Sequence, residues 1–303
     1  MIVLASVFAA AVVAGGAVVL AARRWPRLHI GAPRVDVASP LVQKEVDRHP
    51  RLRTLLAREI DPATATGLVL TVATAALLAG AVAVGLLLLM VQSHAGLAKW
   101  DLSLARWGGA NATSSSTRVL RDISLIGGTA GSLVLATVVG VLEYRRRPNR
   151  AIPLLLSLTV LGQFAIVNGI KVLVGRERPD ILRLTGFSGS SFPSGHSAAA
   201  AATLAVLALL LGRGRSRRTR NLLAGGAVAL AVLVAGSRVM LGVHWFTDVL
   251  AGLCVGWAWL ALCSIAFGGR LLRFGMPVEV AEVVAAGDAS STASGAAQKP
   301  LSG

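Results

Sequence analysis

The sequence predicts an all-α protein, a polytopic membrane bundle of seven helical spans, and three observations lead there. Of 303 residues, 54% are hydrophobic and only 15% charged, where a soluble chain carries about 25% charged residues. Mean hydropathy is +0.70. Apolar runs close to 20 residues long recur along the chain, enough to cross a hydrocarbon layer of about 30 Å. The length alone would suit two soluble domains, but the runs make one bundle the better description. The formal charge of +16 therefore bears first on which side of a bilayer the basic residues occupy, and no nucleic-acid partner is needed to explain it.

The spans fall at about 2–22, 68–92, 125–143, 152–174, 197–212, 221–241 and 247–268. The third and fifth are short or glycine-rich for a bilayer. In the first, Leu20-Ala21-Ala22 resembles a signal-peptide cleavage site, yet Met1-Ile2-Val3 carries no basic side chain and Arg23, Arg24 and Arg27 follow the run. This predicts an uncleaved anchor with its N-terminus outside. Cys254 and Cys263 lie in one apolar run, nine residues apart, on opposite helix faces. No disulfide or thiol chemistry is expected of them.

Allotting the charges to sides orients the bundle. Residues 23–66, the Arg145 to Arg150 turn, the Arg213 to Arg220 turn and the tail collect 21 Lys and Arg against 9 acids, and the opposite side 9 against 5. Cytoplasmic loops carry the Lys/Arg excess, so the first set, with the C-terminus, is expected in the cytoplasm. Between the first two spans, Ser39-Pro40 reads as a helix start, and Val42, Val46, His49, Leu52, Leu56 and Ile60 recur at helical spacing. They predict a basic amphipathic helix on the inner leaflet, or else a solvated linker, with His49 structural. On the other side Leu97, Trp100, Leu104 and Trp107 form a stripe opposite Lys99, Asp101 and Arg106. It reads equally as an interfacial helix bordering a lipid entrance and as an aromatic-belt anchor. Asn111-Ala112-Thr113 matches a glycosylation acceptor. From about 277 the Ala/Ser/Gly-rich tail is expected to be disordered and without a catalytic part.

Ionisable residues at membrane depth are costly and mark function, and here they group. Lys171 closes the fourth span, followed by Gly175-Arg176-Glu177-Arg178-Pro179-Asp180; Pro193-Ser194-Gly195-His196 opens the fifth; Ser237-Arg238 closes the sixth; His244-Trp245-Phe246-Thr247-Asp248 opens the seventh. In the charge-derived topology all lie at one outer edge. Two arginines and a lysine are donors without acceptors and suit an anion with several oxygens. Pro193 at a helix start would leave the N–H groups of Ser194, Gly195 and His196 aimed at an anion. Gly195 admits close approach, and Ser194 adds a hydroxyl. A phosphate, or vanadate as its analogue, fits this donor set. His244 and Asp248, four apart, read as neighbours on one helix face, the carboxylate holding one ring nitrogen so that the other can attack phosphorus. His196 would protonate the leaving oxygen. Glu177, Asp180 and Asp248 are too few acids for a two-metal site, so no metal and no cofactor is expected.

The set Lys171-x6-Arg178-Pro179, Pro193-Ser194-Gly195-His196 and Ser237-Arg238-x5-His244-x3-Asp248 resembles the three-part signature of the type 2 phosphatidic acid phosphatase and vanadium haloperoxidase superfamily. The resemblance implies a six-helix membrane phosphatase core at 68–268, with an N-terminal transmembrane anchor at 1–22, a cytoplasmic basic segment at 23–67 and a cytoplasmic tail at 269–303 as additions. It implies magnesium-independent phosphate release in which Lys171, Arg178, Arg238, Ser194 and the Gly195 backbone bind phosphate. His244 would form a phosphohistidine oriented by Asp248, and His196 would act as general acid. The soluble haloperoxidase branch shares the anion site, but the dense apolar spans favour the lipid phosphatase branch. Arg176 and Arg183, outside the signature, read as headgroup contacts.

The expected activity is hydrolysis of a lipid phosphate or isoprenoid diphosphate at the extracytoplasmic face, with the bilayer and that lipid as partners. Phosphatidate, phosphatidylglycerol phosphate, a sugar-linked polyprenyl phosphate and undecaprenyl diphosphate all remain open. A phosphotransferase would share the first half-reaction. A transporter of anionic lipids is the reading from another class, but it gives no reason to pair His244 with Asp248 and add His196.

Overall fold

A computed structural model describes residues 1–24, 62–146, 148–181, 184–186 and 189–271. The described residues form helices α1 (Ile2–Arg24), α2 (Pro62–Gln92), α3 (Lys99–Ala110), α4 (Ser114–Ile126), α5 (Thr129–Arg146), α6 (Ala151–Val174), α7 (Gly195–Leu211), α8 (Arg217–Met240) and α9 (Phe246–Leu271), and no strand is found among them. By length and composition α1, α2, α6, α8 and α9 can each cross a membrane. The bent pair α4 and α5 passes the same test only when taken together, as a broken span or a re-entrant loop, and α7 is a shorter apolar helix. All seven expected apolar segments are therefore helical. The segment around His49, Arg183 and the tail beyond Leu271 lie outside the described residues.

Local chemistry sets the helix ends. Arg23 and Arg24 close α1, and Arg145 and Arg146 close α5, at the negative end of each helix dipole. Thr113 caps α4 in a reciprocal box with Ser116, and the Asn111 amide donates to the Trp107 carbonyl at the end of α3. Both polar side chains of the glycosylation-like triplet thus serve as caps. α6 stops at Gly175, whose φ of +62° is a left-handed turn that glycine adopts without strain.

The buried helix α7 organises the bundle, packing against α5, α6, α8 and α9. Five consecutive alanines, Ala198 to Ala202, are all buried and let these neighbours close in. Gly252 and Gly256 put α9 directly against it, since a Cβ at Gly252 would strike the Ser194 carbonyl and one at Gly256 the Ala198 carbonyl. Both contacts advance by four residues in the same direction, so α7 and α9 run parallel. Their N-termini, bearing His196 and Asp248, emerge at the same end.

α1 docks on α8 in the opposite sense, with Gly15 against Gly225 and Val7 against Gly236. Val3, Val7 and Ala11 are buried there, and Arg217 donates to the Ala22 carbonyl at 2.8 Å. The first span is thus an integrated part of the bundle.

One expectation about the spans needs correction. The third span is not one helix over 125–143 but two, bent by 52° between Ile126 and Thr129. The break is Gly127-Gly128, where a Cβ on Gly127 would collide with the His196 carbonyl and one on Gly128 would come within 3.7 Å of His196 Nε2. The helix breaks where it must make room for the start of α7. In α3, Trp100 is 60% exposed while Asp101 is 4% exposed; Asp101, Ala105 and Gly108 are its buried residues, and Leu104 and Trp107 are partly buried against the core. Gly108 lies on Met240 of α8, and Asp101 is held inside by partners described next.

Candidate active site

Four pieces of chain meet at this end of the bundle. Lys171 comes from the last turn of α6, Arg176 to Ser194 from the connection to α7, Arg238 from the last turn of α8, and His244 from the short turn before α9. Backbone bonds fix the pieces to one another: Ser191 N–H to the Arg176 carbonyl at 2.8 Å, Ser194 N–H to the Asp248 carbonyl at 2.9 Å and Leu184 N–H to the Leu241 carbonyl at 3.0 Å.

His244 is divided between two partners. Its Nδ1 lies 3.4 Å from Asp248 Oδ2 and its Nε2 lies 3.2 Å from Arg178 Nη1. A guanidinium can only donate, so Nε2 is the acceptor and the proton sits on Nδ1, facing the carboxylate. His244 precedes the helix instead of sharing a face of it with Asp248. Asp248, in the first turn of α9, accepts the Trp245 N–H at 2.9 Å through the same Oδ2, so the pair is built on a helix cap. Burial lowers the His244 pKa from 6.5 to about 4, the Asp248 hydrogen bond and charge oppose this, and Arg178 and Arg238 add to the lowering.

The cations gather around that imidazole. Lys171 Nζ and Arg178 Nη2 both donate to the Ser190 carbonyl, at 2.9 and 3.1 Å, while Arg178 Nε reaches the Gly189 carbonyl at 2.8 Å and Nη1 the Val243 carbonyl at 2.7 Å. Arg238 is 4% exposed. Its Nη1 donates to Ser124 Oγ of α4 at 3.2 Å, and its Nε has no hydrogen-bond partner among the described residues, nor has Ser190 Oγ. A buried guanidinium N–H without an acceptor is costly, and it suits a site that takes up an anion. The cleft beside these residues, about 580 Å³, is lined by Gly175 to Arg178, Asp180, Gly189 and Ser190.

Ser194 is fully buried, and its Oγ accepts from Ser197 N–H at 3.4 Å and from Ser197 Oγ at 3.0 Å, leaving its own O–H to donate. Pro193 is not the first helical residue as expected. Ser194 is the N-cap and its N–H is taken by Asp248, so the outward N–H groups of the first turn are those of Gly195 and His196. A Cβ on Gly195 would meet only Val167, at 3.7 Å, so internal packing does not dictate glycine there and the space over the backbone is free for a ligand. His196 lies within electrostatic reach of Arg238, His244, Lys171 and Arg178. All eight expected site residues therefore meet in one place.

Three participants escape the signature. Arg176 is no loose headgroup contact: Nη1 donates to Asp248 Oδ1 at 2.5 Å and to Thr247 Oγ1 at 2.8 Å, and Nη2 to Asp101 Oδ2 at 2.7 Å. Asp101 in turn accepts the Thr247 N–H at 2.9 Å and the Thr247 hydroxyl at 2.7 Å. The sequence held a clue in the small residues Ala105 and Gly108, four and seven after Asp101, which mark that face of α3 as the one able to approach another helix.

Residues 150–271, the stretch holding all these motifs, match the family model of the PAP2 superfamily. Phosphatidylglycerophosphatase B of Bacillus subtilis (strain 168) is 36% identical over 164 residues, which cover 52% of this chain and 77% of that protein. The chain belongs to the PAP2 superfamily. Decaprenylphosphoryl-5-phosphoribose phosphatase of Mycobacterium tuberculosis (strain ATCC 25618 / H37Rv) is 33% identical over 144 residues, 46% of this chain and 73% of that protein. Lipid A 1-phosphatase of Rhizobium etli is 37% identical over 119 residues, but these span only 47% of its length. Among solved structures, a transmembrane PAP2 type phosphatidylglycerolphosphate phosphatase from Bacillus subtilis superposes with a TM-score of 0.60 at 26% identity, covering 65% of this chain and 98% of that one. With seven apolar helical elements among its described residues, the chain is a multi-pass membrane phosphatase of the PAP2 superfamily.

Proposed function

We propose that this PAP2 protein hydrolyses a lipid phosphate or an isoprenoid diphosphate at the extracytoplasmic face through a phosphohistidine on His244. The observation that carries the reading is the division of the imidazole, with Nδ1 on Asp248 and Nε2 on Arg178. The unprotonated nitrogen thereby points into the cationic group. Lys171, Arg178 and Arg238, with the Ser194 hydroxyl and the Gly195 N–H, hold the phosphate oxygens and balance the charge that builds on them. Nε2 forms the N–P bond as the P–O bond to the lipid breaks, and His196, protonated beside the bound anion, gives its proton to the leaving oxygen. A water then attacks phosphorus, His196 takes its proton, and the N–P electron pair returns to Nε2 as phosphate leaves. Residues 68–268 form the phosphatase core in this reading, with α1 as an added span.

The three relatives act, by their names, on a glycerophospholipid, a lipid A and a polyprenyl-linked sugar phosphate. What these share is a phosphate at a membrane surface, and that is the substrate class proposed here. The extracytoplasmic placement rests on the opposite end of the bundle, where the short turns rich in arginine lie. Purified protein should release phosphate from a panel of such lipids in EDTA, lose activity to vanadate and form an acid-labile phosphoenzyme. His244→Ala should abolish all three, and full turnover in that variant refutes the mechanism.

A further inference from the structure

We infer that Arg176 and Asp101 are positioning residues for the phosphoryl-transfer reaction, setting through Asp248 both the orientation and the basicity of His244. The inference rests on the reading of His244 as nucleophile. Neither residue belongs to the signature that marks the phosphate site, and they come from segments 75 positions apart.

Asp248 has two oxygens with separate tasks. Oδ2 holds the Trp245 N–H and faces His244 Nδ1, while Oδ1 receives Arg176 Nη1 at 2.5 Å. Without Arg176 the carboxylate could rotate about its last bond and present either oxygen to the ring. With it, one oxygen is pinned from the far side. Arg176 is itself held on three sides: Nη2 on Asp101, Nη1 also on the Thr247 hydroxyl, and the guanidinium face over the Trp245 ring with 5.5 Å to the centroid. Thr247 closes the loop by giving both its N–H and its hydroxyl proton to Asp101. Hydrogen-bond donors and acceptors match throughout, as a buried network requires.

Charge explains why a second acid is present. A lone Arg176 against Asp248 would neutralise the carboxylate on which a positively charged imidazole depends as it attacks. Asp101 shares the guanidinium, so two acids and one base leave the trio with a net negative charge facing His244. That charge opposes Arg178 and Arg238, the two guanidinium groups that act on the same imidazole. Asp101 sits on α3, so the placement of this short helix is tied to the reacting histidine.

The test compares wild type with Arg176→Gln, Arg176→Lys and Asp101→Asn in detergent or vesicles, using a phospholipid monoester and vanadate as probes. Arg176→Gln should lower kcat and the rate of phosphoenzyme formation on the order of 10- to 100-fold, the size seen when the partner that orients a metal-ligating histidine is lost. KM and the vanadate inhibition constant should stay within about threefold. Arg176→Lys, with the charge but not the fork, should recover only part of the rate. Because Arg176 lines the cleft, millimolar guanidinium should restore some activity to Arg176→Gln and none to wild type. Asp101→Asn should lower kcat and move the acid limb of kcat/KM further down in pH.

A raised KM with unchanged kcat makes Arg176 a substrate contact and overturns the inference. Unchanged kinetics also overturns it. So does loss of vanadate binding and thermal stability in Arg176→Gln and Asp101→Asn, with no rescue of Arg176→Gln by guanidinium, which would be a merely structural role. A wild type that turns over without any phosphoenzyme refutes the nucleophile reading itself, whereas wild-type labelling rates in Arg176→Gln refute only the positioning role.

Discussion

Asp248 Oδ2 stands 3.4 Å from His244 Nδ1 and accepts the Trp245 N–H at 2.9 Å. One oxygen thus both caps α9 and fixes the imidazole. Asp248→Asn should lower kcat by roughly 10⁴-fold, the scale at which a wrong histidine tautomer costs an enzyme with a carboxylate-oriented histidine. The weakened cap should cost only about 1 kcal/mol. Rapid-quench phosphoenzyme kinetics beside a melting curve will separate the two, and a kcat loss below tenfold would remove Asp248 from the mechanism.

The pH dependence follows from the buried imidazole. His244 has its pKa lowered from 6.5 to about 4 in the folded protein, so it is neutral and able to attack across the neutral range. The acid limb of kcat/KM that it sets should lie well below pH 6.5. In kcat the limb should move up, because a bound phosphate favours the imidazolium. Stability carries the same sign. The unfolded histidine takes up protons before the folded one does, so stability is intact above about pH 6.5 and declines as pH falls toward 4. Melting curves of wild type and His244→Gln between pH 7 and 4.5 should diverge, with the wild type falling faster.

Arg238 brings an Nε without a partner to the anion site. Replacement by Gln should weaken vanadate inhibition by about 10- to 100-fold, since a hydrogen bond to a charged group is worth about 1.5–3 kcal/mol. An inhibition constant within twofold of wild type would mean that Arg238 does not touch the anion.

Gly252→Ala would drive a methyl into the Ser194 carbonyl and the Ser197 Cβ. The parallel pair α7 and α9 must then separate, at a cost of about 1–3 kcal/mol, and His196 must shift against His244. Lower melting temperature together with lower kcat is expected. At Gly225, which faces Gly15 and Val19 of α1, Leu should lower the melting temperature but leave KM unchanged, because that contact lies at the far end of α8 from Arg238.

Much of this was legible beforehand because it depends on local pattern. Apolar runs gave the helices, and the spacing of Lys171, Arg178, His196, Arg238, His244 and Asp248 gave the reacting groups. What stayed hidden depends on which residues meet across the fold. Asp101 looked like one of several charges on a polar helix face until Arg176 and Thr247 were seen to hold it inside. Gly127-Gly128 looked like a weak place in a span until the His196 carbonyl came up against it. Pro193 shows the limit of a rule of thumb, since the capping preference of Ser194 shifted the helix start by two residues.

The contact between Arg238 and Ser124 has a consequence for how such proteins can be recombined. Every motif residue lies after position 150, yet Asp101, Ser124 and Gly127, which brace Arg176, Arg238 and His196, all come before it. A chimaera that joins this catalytic half to the front half of a relative would keep each reacting group and exchange all three braces at once. Such grafts should fail or change rate according to those three positions, whatever the overall likeness of the exchanged helices.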